Sequence, residues 1–254
     1  MRRCIFCGDA VLTKEDVWPQ WVISLLKKST DEIVPMQARR NKDPLRKWSK
    51  MGNRALEFNG VCQSCNNGRM SACENETAPI LIPMITNHPA TLDSVQQLQI
   101  VQWTMKCAML FESMDGGGRF YTDGDRSSFR ATLVPPGDFL EIWLAHYSGA
   151  VFRAATDHKG VLTIGASGRS YQGHMITMIF GSLAIQVLNF KCFTADDPTP
   201  GIRIRGDRDW SDYIMRLDPA IADVQWPPKL SLDDSHNSLQ AFSKRFITTR
   251  ELVS

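Results

Sequence analysis

Cys62-Gln63-Ser64-Cys65-Asn66-Asn67-Gly68 decides how this chain is read, because it answers a second Cys-x-x-Cys pair, Cys4-Ile5-Phe6-Cys7. Each pair puts two thiols on one tight turn, where both sulfurs can face one tetrahedral ion. Two pairs complete a four-sulfur set with no open coordination position, so the ion expected is a structural Zn2+. It would staple the N-terminal turn to a segment 55 positions further on, measured from Cys7 to Cys62.

Outward from the two pairs, composition sets bounds. The chain has 254 residues, 43% hydrophobic and 22% charged, enough to bury a core and too apolar for a disordered chain. Met1-Arg2-Arg3 runs directly into Cys4, so no leader is expected, and no apolar run approaches the length of a membrane span. A cytoplasmic protein with reduced thiols is the expectation. Cys73, Cys107 and Cys192 are then read as small buried hydrophobes.

Charge is uneven. The net is +2, but residues 1–54 carry twelve Lys and Arg against six Asp and Glu. The densest part lies in 37–54, with Arg39, Arg40, Lys42, Arg46, Lys47 and Lys50 around Pro44. It reads as a mobile basic loop. Its functional reading is contact with a phosphate backbone, and its bland reading is a solvated loop.

The pattern divides the chain near residue 78 into a zinc-binding part, 1–78, and an α+β part, 79–254. Residues 18–28 read as a helix, with Trp21, Val22, Leu25 and Leu26 at helical spacing, and Asn66 to Glu76 as a second. Residues 92–114 read as the longest helix, with a core stripe of Val95, Leu98, Val101, Met105 and Met109, ended by Gly116-Gly117-Gly118. Strands are expected at 139–147, 151–155, 161–164, 175–180 and 183–190. Turn signals at Ser148-Gly149, His158-Lys159-Gly160 and Gly181-Ser182 suggest an antiparallel meander. Ser211–Leu217 and His236–Val253 read as terminal helices. No internal repeat and no phosphate-binding glycine loop is present.

Between the cysteine pairs lies Thr13-Lys14-Glu15-Asp16-Val17-Trp18-Pro19, and directly after the second lies Asn66-Asn67-Gly68-Arg69. This arrangement resembles the zinc-stabilised HNH, or ββα-metal, endonuclease family, in detail over residues 1–78. The resemblance implies an α+β protein: a zinc-stapled ββα module followed by a helix and an antiparallel sheet. It implies cleavage of phosphodiester bonds in DNA, with Mg2+ or another divalent cation at the site. By position, Glu15 would be the acidic ligand and Asn66 the ligand from the helix. The general-base position, a histidine in the family, is Asp16 here. An aspartate beside a cation is a weak base at neutral pH and a good ligand.

Bland readings stand beside these. Asn66 is a preferred helix cap, Glu15 can be a solvated charge, and Trp18 and Trp21 can be packing. Arg69 can contact phosphate or cover surface. The histidines 88, 146, 158, 174 and 236 all lie outside the zinc part, so any one that served as base would have to arrive through the fold. The alternative function is an inactive HNH-like zinc module that binds nucleic acid or a protein without cutting. A zinc-ribbon interaction module is a third. The C-terminal part could hold a protein partner, pair with a second copy, bind a ligand, recognise a nucleic-acid structure or regulate the N-terminal part, and no membrane partner is expected.

Overall fold

The computed structural model describes residues 3–26, 36–40, 46–48, 57–114, 120–150, 153–164, 169–192, 203–204, 209–220, 222–246 and 252–253. In chain order come β1 (Leu12–Asp16), α1 (Gln20–Leu26), β2 (Met36–Arg40), β3 (Arg46–Trp48), β4 (Glu57–Cys62), α2 (Gln63–Asn66) and α3 (Arg69–Ile85). Next are β5 (Ala90–Leu92), α4 (Ser94–Met114), α5 (Asp123–Thr132), β6 (Phe139–Tyr147), β7 (Arg153–Ile164), β8 (Arg169–Phe180) and β9 (Leu183–Cys192). The short strands β10 (Arg203–Ile204), β11 (Ile214–Arg216), β12 (Val224–Trp226) and β13 (Ser231–Leu232) follow. A π-helical turn at His236–Gln240 leads into α6 (Ala241–Lys244), and β14 (Leu252–Val253) is last.

The fold is α+β, helices with a largely antiparallel sheet, and a four-cysteine cluster sits near the N-terminus. The main sheet has eight strands, in the order β11-β6-β9-β8-β7-β2-β3, with β13 also on β6. β7, β8 and β9 are joined as successive hairpins, but β6 pairs with β9 rather than β7. The expected simple meander is therefore replaced by a return of the chain across the sheet. β2 and β13 pair in parallel with β7 and β6.

One core crosses the expected division. The Trp18 ring lies 4.7 Å from Phe180 and 5.2 Å from Phe111, and Trp103 lies 5.3 Å from Phe180. Trp18 follows β1, Phe180 ends β8, and the other two are on α4, so the N-terminal part and the sheet share their largest apolar side chains. Residue 78 falls inside α3, which runs unbroken to Ile85. At its far end Ile85 O accepts the Ser182 N–H of the β8–β9 turn at 3.0 Å. Gly181 in that turn has φ +56°, and a Cβ there would lie 2.6 Å from Ile85 O, so glycine is needed for the close approach.

Several expectations are corrected. The basic segment is not a loop throughout: Arg39 and Arg40 lie on β2, and Arg46 and Lys47 on β3, at the edge of the main sheet. Lys42 and Lys50 lie outside the described residues, as do Gly116-Gly117-Gly118 and residues 27–28. On α4, Val95 and Leu98 are 61% and 43% exposed, while Gln97 and Ile100 are fully buried. Gln97 takes the inward face because its carboxamide is satisfied there, donating to Leu92 O and Ala222 O and accepting from Asp218 N–H. From Trp103 to Glu112 every residue of α4 is buried, the pattern of a helix enclosed on all sides.

His158-Lys159-Gly160 is not a turn but mid-strand in β7, paired with Gly173, His174 and Met175 of β8. Asp157 and Lys159 point inward to buried partners, His174 and Glu112, and these contacts outweigh local turn propensity. Ser211–Leu217 is a turn entering β11, which pairs with β6, rather than a helix. Among the described residues, the expected C-terminal helix covers 236–244; 247–251 lie outside them. Helix α5 had no counterpart in the sequence reading. It is started by a capping box, in which Thr122 Oγ1 accepts from Asp125 N–H and the Asp125 carboxylate accepts from Thr122 N–H.

Candidate metal centre

The first cysteine pair is shaped by its backbone. Gly8 N–H donates to Cys4 O at 2.9 Å and Cys4 N–H to Asp9 O at 2.8 Å, which curls the turn. Gly8 sits at φ +78°, where a side chain would be strained. Phe6 is buried beside the pair. β1 and β4 then pair antiparallel, with Leu12 opposite Cys62, so the strand leaving the first pair brings the second alongside. Cys62 is the N-cap of α2 and Cys65 lies within that helix.

The four sulfurs all lie within 4.8 Å of one another and can hold a metal ion. A tetrahedral site with sulfur bonds of 2.3 Å has sulfurs about 3.8 Å apart; Cys7 and Cys62 already stand at 3.4 Å and no pair exceeds 4.8 Å, so shifts of about 1 Å or less would close the set on an ion. Cys4, Cys62 and Cys65 are buried and Cys7 is exposed. Burial opposes ionisation of Cys62, but hydrogen bonds from Ser64 and Cys65, together with the neighbouring thiols, outweigh it and hold the thiol at about 6. Burial and the adjacent Cys7 and Cys62 push Cys65 well above the ordinary thiol range. Arg130 of α5 donates through Nε to Cys65 Sγ at 3.0 Å. Among the described residues this is the one cluster of three or more His, Cys, Asp or Glu side chains arranged to share an ion.

The other residues singled out by sequence are placed as follows. Glu15 is 4% exposed and pairs with Lys106 Nζ of α4 at 2.8 Å. Glu74 of α3 reaches the same ammonium at 2.7 Å. Burial pushes the Glu15 carboxyl above its ordinary value against the pull of Lys106. The two carboxylates outweigh burial of Lys106 and raise it, so it stays charged. Asp16 is half-buried and accepts from Gln20 Nε2 at 2.5 Å. Asn66 is the last residue of α2, not a cap: Cys62 caps α2 and Gly68 caps α3. Its Nδ2 donates to Lys14 O at 3.3 Å, which fastens α2 to β1 one residue before Glu15.

Glu15, Asp16 and Asn66 are thus neighbours on β1 and α2, with Glu15 turned to Lys106, Asp16 to Gln20 and Asn66 to Lys14 O. Arg69 is exposed and bonds Ala131 O of α5. Four of the five histidines are engaged elsewhere: His88 with Thr86, His146 with Ser231, His174 with Asp157 and Tyr121, and His236 with Gln240; the side chain of His158 lies outside the described ones. Lys106, Glu74 and Arg130 were not foreseen. A lone lysine inside Trp103-Thr104-Met105-Lys106-Cys107-Ala108-Met109 was the signal for the first. Comparison with protein-family models, with curated proteins and with solved structures returned no match.

Proposed function

We propose that the chain is an HNH-like, zinc-stapled endonuclease that acts on phosphodiester bonds of DNA. The supporting observation is the β1–β4–α2–α3 succession: an antiparallel strand pair leaves one cysteine pair, enters the other and passes into helix, with Asn66 tied to β1 beside Glu15 and Asp16. Zn2+ at Cys4, Cys7, Cys62 and Cys65 would hold this unit together, and it takes no part in the reaction because all four ligand positions are sulfur. Asp16 ends β1 next to the buried Glu15 at the family's general-base position; with Glu15 and Asn66 it would hold the divalent cation, and water would take the proton, because an aspartate beside a cation is a poor base. Arg39, Arg40, Arg46 and Lys47 would meet the phosphate backbone. Charge on an edge strand also keeps other strands from adding to it, so Arg46 and Lys47 on β3 have a structural account as well.

A second reading is binding without cleavage. It is favoured by the engagement of Glu15 with Lys106 and by an aspartate where the family has histidine. Nicking of plasmid and branched DNA with Mg2+, Mn2+ or Ni2+ decides between them. Cleavage by the chain, lost in Asn66→Ala, supports the endonuclease. An Asp16→His variant should then cut about 10²- to 10⁴-fold faster, the range of a well-placed general base. Cleavage by Asp16→His alone supports the binding reading. Absence of both cleavage and salt-sensitive DNA binding in both proteins would remove the HNH reading.

A further inference from the structure

Helix α5 is foreign to the zinc part in sequence, yet it delivers a guanidinium to one of the four sulfurs. Its position does not rest on that contact alone. Phe129 and Arg126 on α5 are fully buried, and Arg126 bonds the Glu112 carboxylate, Ser113 Oγ at 2.5 Å and Met109 O at 3.1 Å. At its N-terminal end Asp125 holds Lys191, and at its C-terminal end Arg69 bonds Ala131 O. Arg130 therefore reaches Cys65 from a helix already fixed on both sides, and its Nε–H points at Sγ across 3.0 Å.

Such a donor has a purpose at a four-thiolate site. Four thiolates around a divalent ion leave two excess negative charges, and polar hydrogens aimed at the sulfurs offset them. Ser64 Oγ lies 3.3 Å from Cys62 Sγ, a neutral contact. Among the described residues, Arg130 is the cation hydrogen-bonded to a ligand sulfur. An arginine in the last turn of a helix also suits the helix dipole, but that role does not require its Nε to face a thiol.

We propose that Arg130 is an outer-sphere residue of the metal centre: it offsets the charge of the thiolates through Cys65 and links occupancy of the site to the docking of α5. This rests on the four cysteines being a metal centre. Because the coupling is reciprocal, a bound ion holds α5 more firmly, and α5 in place raises affinity for the ion.

The test uses the full chain and cobalt, zinc and cadmium ions. Wild type should give the sulfur-to-cobalt charge-transfer band of a four-thiolate site; its absence would overturn the metal centre and, with it, this assignment. In protein loaded with 113Cd2+, the Arg130 Nε proton, assigned by its loss in Arg130→Lys, should couple to cadmium through the Cys65 sulfur. A cadmium centre without that coupling overturns the role of Arg130 while leaving the centre standing. Arg130→Gln should weaken zinc binding about 10- to 100-fold against a chromophoric chelator, the usual cost of losing an outer-sphere partner, and should shift the cobalt band. Affinity within twofold of wild type with an unmoved band overturns the proposal. Chelation should raise amide exchange across residues 123–132 in wild type; unchanged exchange there would also overturn it.

Discussion

Two clusters of buried charge lie on the same helix and are built to different plans. Around Lys106, one ammonium faces two carboxylates, Glu15 and Glu74, and the Glu74 side chain remains 20% exposed. Around Glu112, Arg126 and Lys159 share that carboxylate, Lys159 also approaches Asp157 at 3.7 Å, and His174 bonds Asp157 at 2.6 Å. Tyr121 completes the second cluster through His174, and every member is buried. The second cluster balances two cations against two anions and is sealed. The first leaves an excess negative charge with one side open, next to Asp16 at the end of β1. A closed, balanced network suits a purely architectural role, whereas an unbalanced and accessible one is where a charged ligand can be accommodated at least cost.

The comparison can be broken by removing one cation from each. Arg126→Met removes the nearer of Glu112's two buried cations and should cost about 3–5 kcal/mol in a urea titration, the range for breaking a buried pair. Lys106→Met should cost less, about 1–3 kcal/mol, because Glu74 can turn to water. Equal losses would mean that openness has no energetic consequence here. The Lys106→Met deficit should also shrink in acid. Glu15 is already raised by burial, and without its cation it is raised further. The folded state then binds the extra proton, so stability recovers as pH falls toward the free carboxyl value of about 4.3. The smallest effect is expected at Asp125. Burial opposes its ionisation, but hydrogen bonds from Lys191 and Thr122 outweigh it and hold the carboxyl low. A depressed acid contributes stability above its unfolded value, near 3.9, which is lost as pH falls through the folded one. Asp125→Asn should remove about 1 kcal/mol at neutral pH and flatten that acid limb, as followed by circular dichroism.

Legibility followed the kind of force involved. The cysteine pairs were readable because a tetrahedral ion demands a fixed spacing, and the structure brings all four sulfurs together. β6 and the α4 span were readable because long periodic segments carry their own signal. What escaped was decided by distant partners. Gln97 looked solvent-facing until the 218–222 segment supplied its hydrogen bonds. His158-Lys159-Gly160 looked like a turn until Glu112 supplied a partner for Lys159 and His174 one for the preceding Asp157 on β7. Glu15 and Asp16 are adjacent in sequence, but only the fold shows that one goes to Lys106 and the other to Gln20. Arg130 gave no sign at all, since nothing local distinguishes it from any arginine in a last helical turn.

Helix α3 begins four residues after Cys65 and ends with Ile85 O accepting from the β8–β9 turn. Its 17 residues make a strut about 25 Å long, clamped at both ends. Inserting one residue would turn the far end by about 100° and move it about 1.5 Å, so that Ile85 could no longer meet Ser182 while Cys65 kept its place. The length of α3 is in this sense a gauge that sets the spacing between the cysteine cluster and the sheet, and variation in chain length that spares the fold must fall outside it.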